Sequence, residues 1–140
     1  MTQPIECTAA VARGSFTVKL QPLAFEGAGP DTQFGRMSID KVIEGDLLAT
    51  TQGQMLSAMT ATKGSAGYVA IEQVTGTLAG RRGSFTLQHS GTMTRGTSGL
   101  SVNVVPDSGT DELAGIEGEF KINIVDGRHL YEFFYRMRHA

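Results

Sequence analysis

Four side chains in this 140-residue chain could carry acid–base chemistry: Glu72, His89, Lys41 and Tyr68. Glu72 and His89 stand on the two arms of one predicted β-hairpin, Gly67–Gly91, among residues that otherwise suit a sheet. If Leu78 lies opposite Gly83 across a four-residue turn, Glu72 sits directly across from His89. The pair then shares a face with Val74, Phe85 and Leu87. A turn of three or five residues instead puts Val69 and Ile71 against Phe85 and Leu87 and points Glu72 outward, because one residue of slip flips every side chain. The first register is favoured, since it also gathers Gln73, Thr75, Ser84, Thr86 and Gln88 on one polar face.

An inward Glu72–His89 pair could act as a general base and its orienting partner. The plainer alternative is a buried, hydrogen-bonded pair that only fixes register. Lys41 shares its parity with Met37, Ile39 and Ile43, an otherwise apolar face. There it could bind a carboxylate, polarise a carbonyl or form an imine; near a strand end it would simply snorkel to water. Tyr68 could donate to an enolate oxygen, or pack as a core aromatic.

The elements that must position these groups are strands. Gly is 18 of 140 residues and is spread as punctuation. No segment holds an apolar stripe at helical spacing over three turns. Short runs rich in Thr, Val, Phe and Ile alternate in parity: Gly14–Leu20, Gln33–Glu44, Asp46–Met59, Tyr68–Leu78, Gly83–Met93, Ser98–Val105, Glu117–Val125 and His129–Met137. Asp126-Gly127 is a hairpin signal, Ala79–Arg82 and Thr94–Thr97 read as turns, and Ser108–Leu113 offers a capped helical turn. The prediction is an all-β chain, one domain over residues 1–140 with flexible termini at 1–11 and 138–140. Closure removes exposed sheet edges, so an antiparallel β-barrel of about eight strands is favoured, with an internal pocket.

The segment Tyr68-Val69-Ala70-Ile71-Glu72-Gln73-Val74-Thr75-Gly76-Thr77-Leu78, continued by Gly80 and Gly83-Ser84-Phe85-Thr86-Leu87-Gln88-His89-Ser90-Gly91, resembles a family of small bacterial proteins of unassigned function. Gly45-Asp46-Leu47 and Pro106–Gly118, with Gly109-Thr110-Asp111-Glu112-Leu113-Ala114-Gly115, are similar to the same family. The likeness runs from Ala12 to about Met137. It implies a barrel similar to allene oxide cyclase and, more loosely, to dirigent proteins, which bind an apolar ligand inside and steer a cyclisation or coupling. No segment matches the catalytic residues of allene oxide cyclase, so none is carried over. Fold alone does not fix function.

Several classes find no support. His89, His129 and His139 have no close spacing, and no Cys/His cluster suggests a metal. Cys7 has only Glu6 beside it and reads as an inert thiol. No phosphate-binding loop and no Gly-x-Ser-x-Gly elbow occurs. Arg81-Arg82 reads as a charged hairpin tip, and Arg136 and Arg138 as a basic tail. A net charge of −2 gives no pull toward nucleic acid or an anionic membrane. With no leader-like start and no long apolar run, a cytoplasmic protein is expected. The expected function is a cofactor-independent cyclase or isomerase acting on a small, largely apolar polyketide- or lipid-like molecule, with Glu72, His89, Lys41 and Tyr68 as its working groups. The alternative is a non-catalytic barrel that binds a small hydrophobic ligand. A homo-oligomer built on the aromatic strand Tyr131–Tyr135 is compatible with either.

Overall fold

The computed structural model describes residues 9–29 and 31–138. Its strands are β1 (Ala10–Leu23), β2 (Phe34–Gly45), β3 (Leu47–Met59), β4 (Ala66–Leu78), β5 (Arg81–Thr94), β6 (Thr97–Val104), β7 (Ile116–Val125) and β8 (Arg128–Met137). Each pairs antiparallel with the next, and β8 returns to β1, closing an eight-stranded barrel. The expected fold class is therefore the one observed. Among the described residues the helical content is one 3₁₀ turn, Asp111–Leu113, and no helix is long and apolar enough to cross a membrane.

Alternation decides which residues face inward. Phe16 and Ala12 on β1, Ile39, Lys41 and Ile43 on β2, Glu72 and Val74 on β4, Phe85, Leu87 and His89 on β5, and Phe120 on β7 are all buried. The barrel's two ends differ. At one end Leu47, Leu78, Leu113, Ile116 and Met137 seal the interior. The segment after β6 completes that seal. Thr110 and Val105 donate backbone N–H groups to Ser84 and Thr86, so β5 keeps partners where β6 has ended, and Leu113 is pressed into the core. At the other end residues of inward parity reach solvent: Ile124 is 67% exposed, Leu100 48% and Leu20 46%. The inward residues are thus buried at one end and become exposed toward the other.

Three elements depart from the sequence expectation. β1 starts at Ala10, not Gly14, because its first half serves as the closing seam against β8, with Ala10 opposite Tyr135 and Val11 opposite Phe134. Ala10 and Val11 are thus strand residues, and the Arg138 N–H donates to the Gly115 carbonyl; Cys7 and His139 lie outside the described residues. The central hairpin turns in two residues, Ala79-Gly80, with Leu78 opposite Arg81. Glu72 is therefore across from Leu87, and His89 from Ala70, where the favoured register had Glu72 opposite His89. The cause is the tight turn: Ala79 and Gly80 both take positive φ, the type I′ pattern whose twist suits a hairpin. The displacement is two residues, so parity survives and Glu72 still points inward. Finally, Tyr131, Phe133 and Tyr135 face the interior, where Phe133 stacks on Phe85 and Phe120 on Tyr131. That leaves Leu130, Glu132 and Phe134 on the outer side of the strand proposed as an interface.

Candidate functional site

Glu72 is the centre of a buried polar chain that links four strands. It is 0% exposed, and its two oxygens take three partners. Lys41 Nζ on β2 donates to Oε1 at 3.1 Å, and His89 Nε2 on β5 meets the same oxygen at 2.8 Å. Thr51 Oγ1 on β3 donates to Oε2 at 2.6 Å, while accepting the Lys41 backbone N–H at 3.1 Å. Burial pushes the Glu72 carboxyl up, but the His89 hydrogen bond, the Lys41 ammonium and the Thr51 hydroxyl outweigh it and hold it at about 2. Glu72 is ionised at neutral pH.

An ionised Glu72 sets the state of His89. The carboxylate accepts, so Nε2 carries the proton, and in the neutral ring Nδ1 is left as an acceptor. The Tyr68 hydroxyl lies 3.3 Å from that Nδ1. Burial first, and the Glu72 charge second, raise the Tyr68 pKa, so the phenol keeps its proton at neutral pH and donates. The result is a directed line, Tyr68 Oη to His89 to Glu72. It runs from the half-buried tyrosine to the sealed interior.

Lys41 does not snorkel. It is 7% exposed, and its ammonium lies over the Phe16 ring, 4.7 Å from the centroid. His129, on β8, lies against the same ring, with ring centroids 5.0 Å apart. All four residues singled out in the sequence are therefore on one inner wall and in one network. Every buried side-chain nitrogen and oxygen among the described residues has a hydrogen-bond partner.

The family model for proteins of unknown function designated DUF3224 matches residues 12–135. The chain belongs to the DUF3224 family. A crystal structure of a DUF3224 protein of unknown function from Shewanella oneidensis MR-1 shares 51% identity with this chain, covers 96% of it and all of its own length, and superposes with a TM-score of 0.87. A comparison with curated proteins finds no match. The small bacterial family of unassigned function inferred from Gly67–Gly91 and Pro106–Gly118 is thus the right one, and it comes with a barrel and without an assigned reaction.

In this DUF3224 chain two site residues escaped the sequence reading. Thr51 shares inward parity with Leu47 and Ala49, a signal that was available, but a lone threonine in a strand attracts no attention. Gly91 lies opposite Tyr68, and a Cβ there would overlap the Tyr68 ring. The glycine lets the ring lie flat across β5, which brings its hydroxyl to His89. Its role depends on the register, so it could not be read before the turn was known. Among the described residues no three His, Cys, Asp or Glu side chains come together as a metal-ligand set.

Proposed function

We propose that this protein admits a small, largely apolar molecule through the open end of the barrel and moves a proton on it, as a cofactor-independent isomerase or cyclase. The observation that carries the reading is the line from Tyr68 through His89 to Glu72, which begins at a half-buried phenol and ends in the core. Glu72 is too deep to meet a ligand and acts as a positioning residue. Tyr68 is the group placed to touch one.

The proton path balances without an added reagent. A proton leaves a substrate carbon beside a carbonyl for Tyr68 Oη as the phenolic proton passes to His89 Nδ1. The imidazolium formed is stabilised by Glu72, and the substrate becomes an enolate. Reversal at a different carbon returns the proton and yields an isomer. Ring closure follows instead where the substrate is folded by the walls of the mouth.

The test uses an apolar β,γ-unsaturated ketone, followed by the absorbance of its conjugated isomer. The wild-type chain accelerates conjugation, and Tyr68→Phe lowers that rate by about 10²–10⁴-fold while circular dichroism stays unchanged. Full activity in a folded Tyr68→Phe variant would refute the relay. A second reading is supported by one observation, the absence of an unpartnered buried polar atom among the described residues. On that reading the network fixes the barrel and the mouth only binds. Saturable ketone binding with no acceleration at all selects it.

A further inference from the structure

The outer wall of the barrel is divided by charge. Outward positions on β1, β2, β7 and β8 carry Arg, Lys, Asp and Glu. On β3, β4 and β6 no outward position is charged, and on β5 the one charge is Arg82, at its start. The neutral wall is Gln, Thr and Ser around exposed apolar groups, with Leu56 at 46% and Val69 and Ile71 each at 53% exposure. A solvated sheet face of this breadth ordinarily carries charge, and an exposed apolar patch rimmed by polar groups marks an interaction surface.

The ladder register arranges this wall in rows. Ser38, Gln54 and Ile71 form one row across β2, β3 and β4. On one side of it lies the row Arg36, Leu56, Val69, and on the other the row Asp40, Gln52, Gln73. One row further out on each side, β2 presents Phe34 and Val42, 54% and 51% exposed. The wall is not uniformly convex. The side chains of Asp40, Val42, Thr50, Gln52, Gln73 and Thr75 border an open depression of about 440 Å³.

These rows are complementary to themselves. A two-fold axis laid along the Ser38–Ile71 row, in the plane between two copies, exchanges the rows on either side of it. Arg36 of one copy then faces Asp40 of the other, Phe34 faces Val42, and the apolar Leu56–Val69 pair faces the Gln52–Gln73 depression. Gln54 and Ile71 meet their own counterparts on the axis. A group on a two-fold axis meets its own kind, which excludes charge there and suits apolar side chains and amides, each amide being both donor and acceptor. Charge belongs where the axis brings opposite signs together, as it does for Arg36 and Asp40. From Phe34 to Val42 and across β2–β5 the face spans about 30 Å by about 19 Å. With the relief of its side chains it approaches the roughly 800 Å² that each partner of a standard interface buries.

From these observations we infer that the neutral outer wall is a homodimer interface, with a second copy of this chain docked across β2–β5 about that axis. The inference does not depend on the proposed reaction, and it puts the contact on the wall away from Tyr131–Tyr135.

Sedimentation velocity of the full chain over a hundredfold range of concentration tests it. The wild type should show a monomer–dimer equilibrium. Ile71→Glu sets two carboxylates against each other on the axis and should weaken the dimer about a hundredfold or more. Asp40→Arg and Arg36→Asp each bring like charges together and should weaken it about tenfold. The double variant Arg36→Asp/Asp40→Arg should restore it, because opposite signs meet again. Within one chain these two groups stand about 13 Å apart along β2, so the rescue cannot arise inside a monomer. Phe134→Glu, on the outer side of β8, should leave the dimer unchanged. Circular dichroism checks that each variant is folded, and should Arg36→Asp not fold, Ile71→Glu and Asp40→Arg still decide. A monomer at every concentration overturns the inference and leaves the neutral wall to a different partner. A dimer that survives Ile71→Glu and is lost in Phe134→Glu overturns it in favour of β8. An assembly larger than a dimer, or a double charge variant as weak as the single ones, overturns the two-fold arrangement.

Discussion

At the residue scale the site is governed by how Glu72 is paid for in free energy. A carboxylate at 0% exposure is tolerable only because three donors face it. Its pKa, lowered from 4.5 to about 2, makes that arrangement measurable. The unfolded chain takes up the proton below about pH 4.5, whereas the folded chain resists until about 2. The stabilisation is therefore complete above pH 4.5 and is lost as pH falls toward 2, by about 3 kcal/mol in all. Glu72→Gln should cost about 3–5 kcal/mol at pH 7, since Lys41 is left buried without its counter-charge. Urea unfolding at pH 5 and pH 3 checks both points: the variant should lose less stability than the wild type between them. Equal losses would assign the acid limb to other carboxylates. The inward parity of Glu72 and His89 was one of two registers that the sequence left open, and it is the one observed, with the strands shifted by two residues. What parity could not give was the partner geometry, since Lys41, Thr51 and His89 reach Glu72 from three different strands.

At the element scale the decisive feature is the two-residue turn between β4 and β5. Three hairpins in the barrel close the same way, at Ala79-Gly80, Arg95-Gly96 and Asp126-Gly127, each with positive φ at both central residues. Asp126-Gly127 was readable because aspartate before glycine is a recognised signal. Ala79-Gly80 was not, because alanine has no side chain that favours the left-handed region. The four-residue alternative was also tempting, as it kept Arg81-Arg82 at the tip; both instead belong to β5. An alanine held at a φ of 50° carries a cost that asparagine largely avoids. Ala79→Asn should accordingly raise stability by about 1 kcal/mol and the thermal midpoint by about 3–5 °C. A calorimetric scan decides it. A fall in the midpoint would mean that this turn does not hold the register that places Glu72 beside His89.

For the whole molecule, the two ends of the barrel differ in burial, and the proposed function places binding at the more exposed one. The barrel itself was legible, because evenly spaced alternating strands with no helical stripe leave few other solutions. The asymmetry was not. It depends on the segment between β6 and β7 folding back along β5 and pressing Leu113 into the sealed end, a long-range event that local pattern does not encode. Substitutions at the two ends should therefore separate. Leu113→Ala and Leu78→Ala, both at 1% exposure, remove packing from the filled layer and should each cost about 2–5 kcal/mol. Leu100→Ser and Ile124→Ser, at the rim, should change stability by no more than about 1 kcal/mol, because water already reaches them. On the proposed function the same rim changes should weaken binding of the unsaturated ketone several-fold, as they remove apolar surface that would meet it. Urea midpoints and amide-shift titrations on the four variants provide both readouts. If the rim variants proved as destabilising as the sealed-end pair, the upper interior would be packed core rather than a mouth. The polar line from Tyr68 to Glu72 would then serve the fold alone.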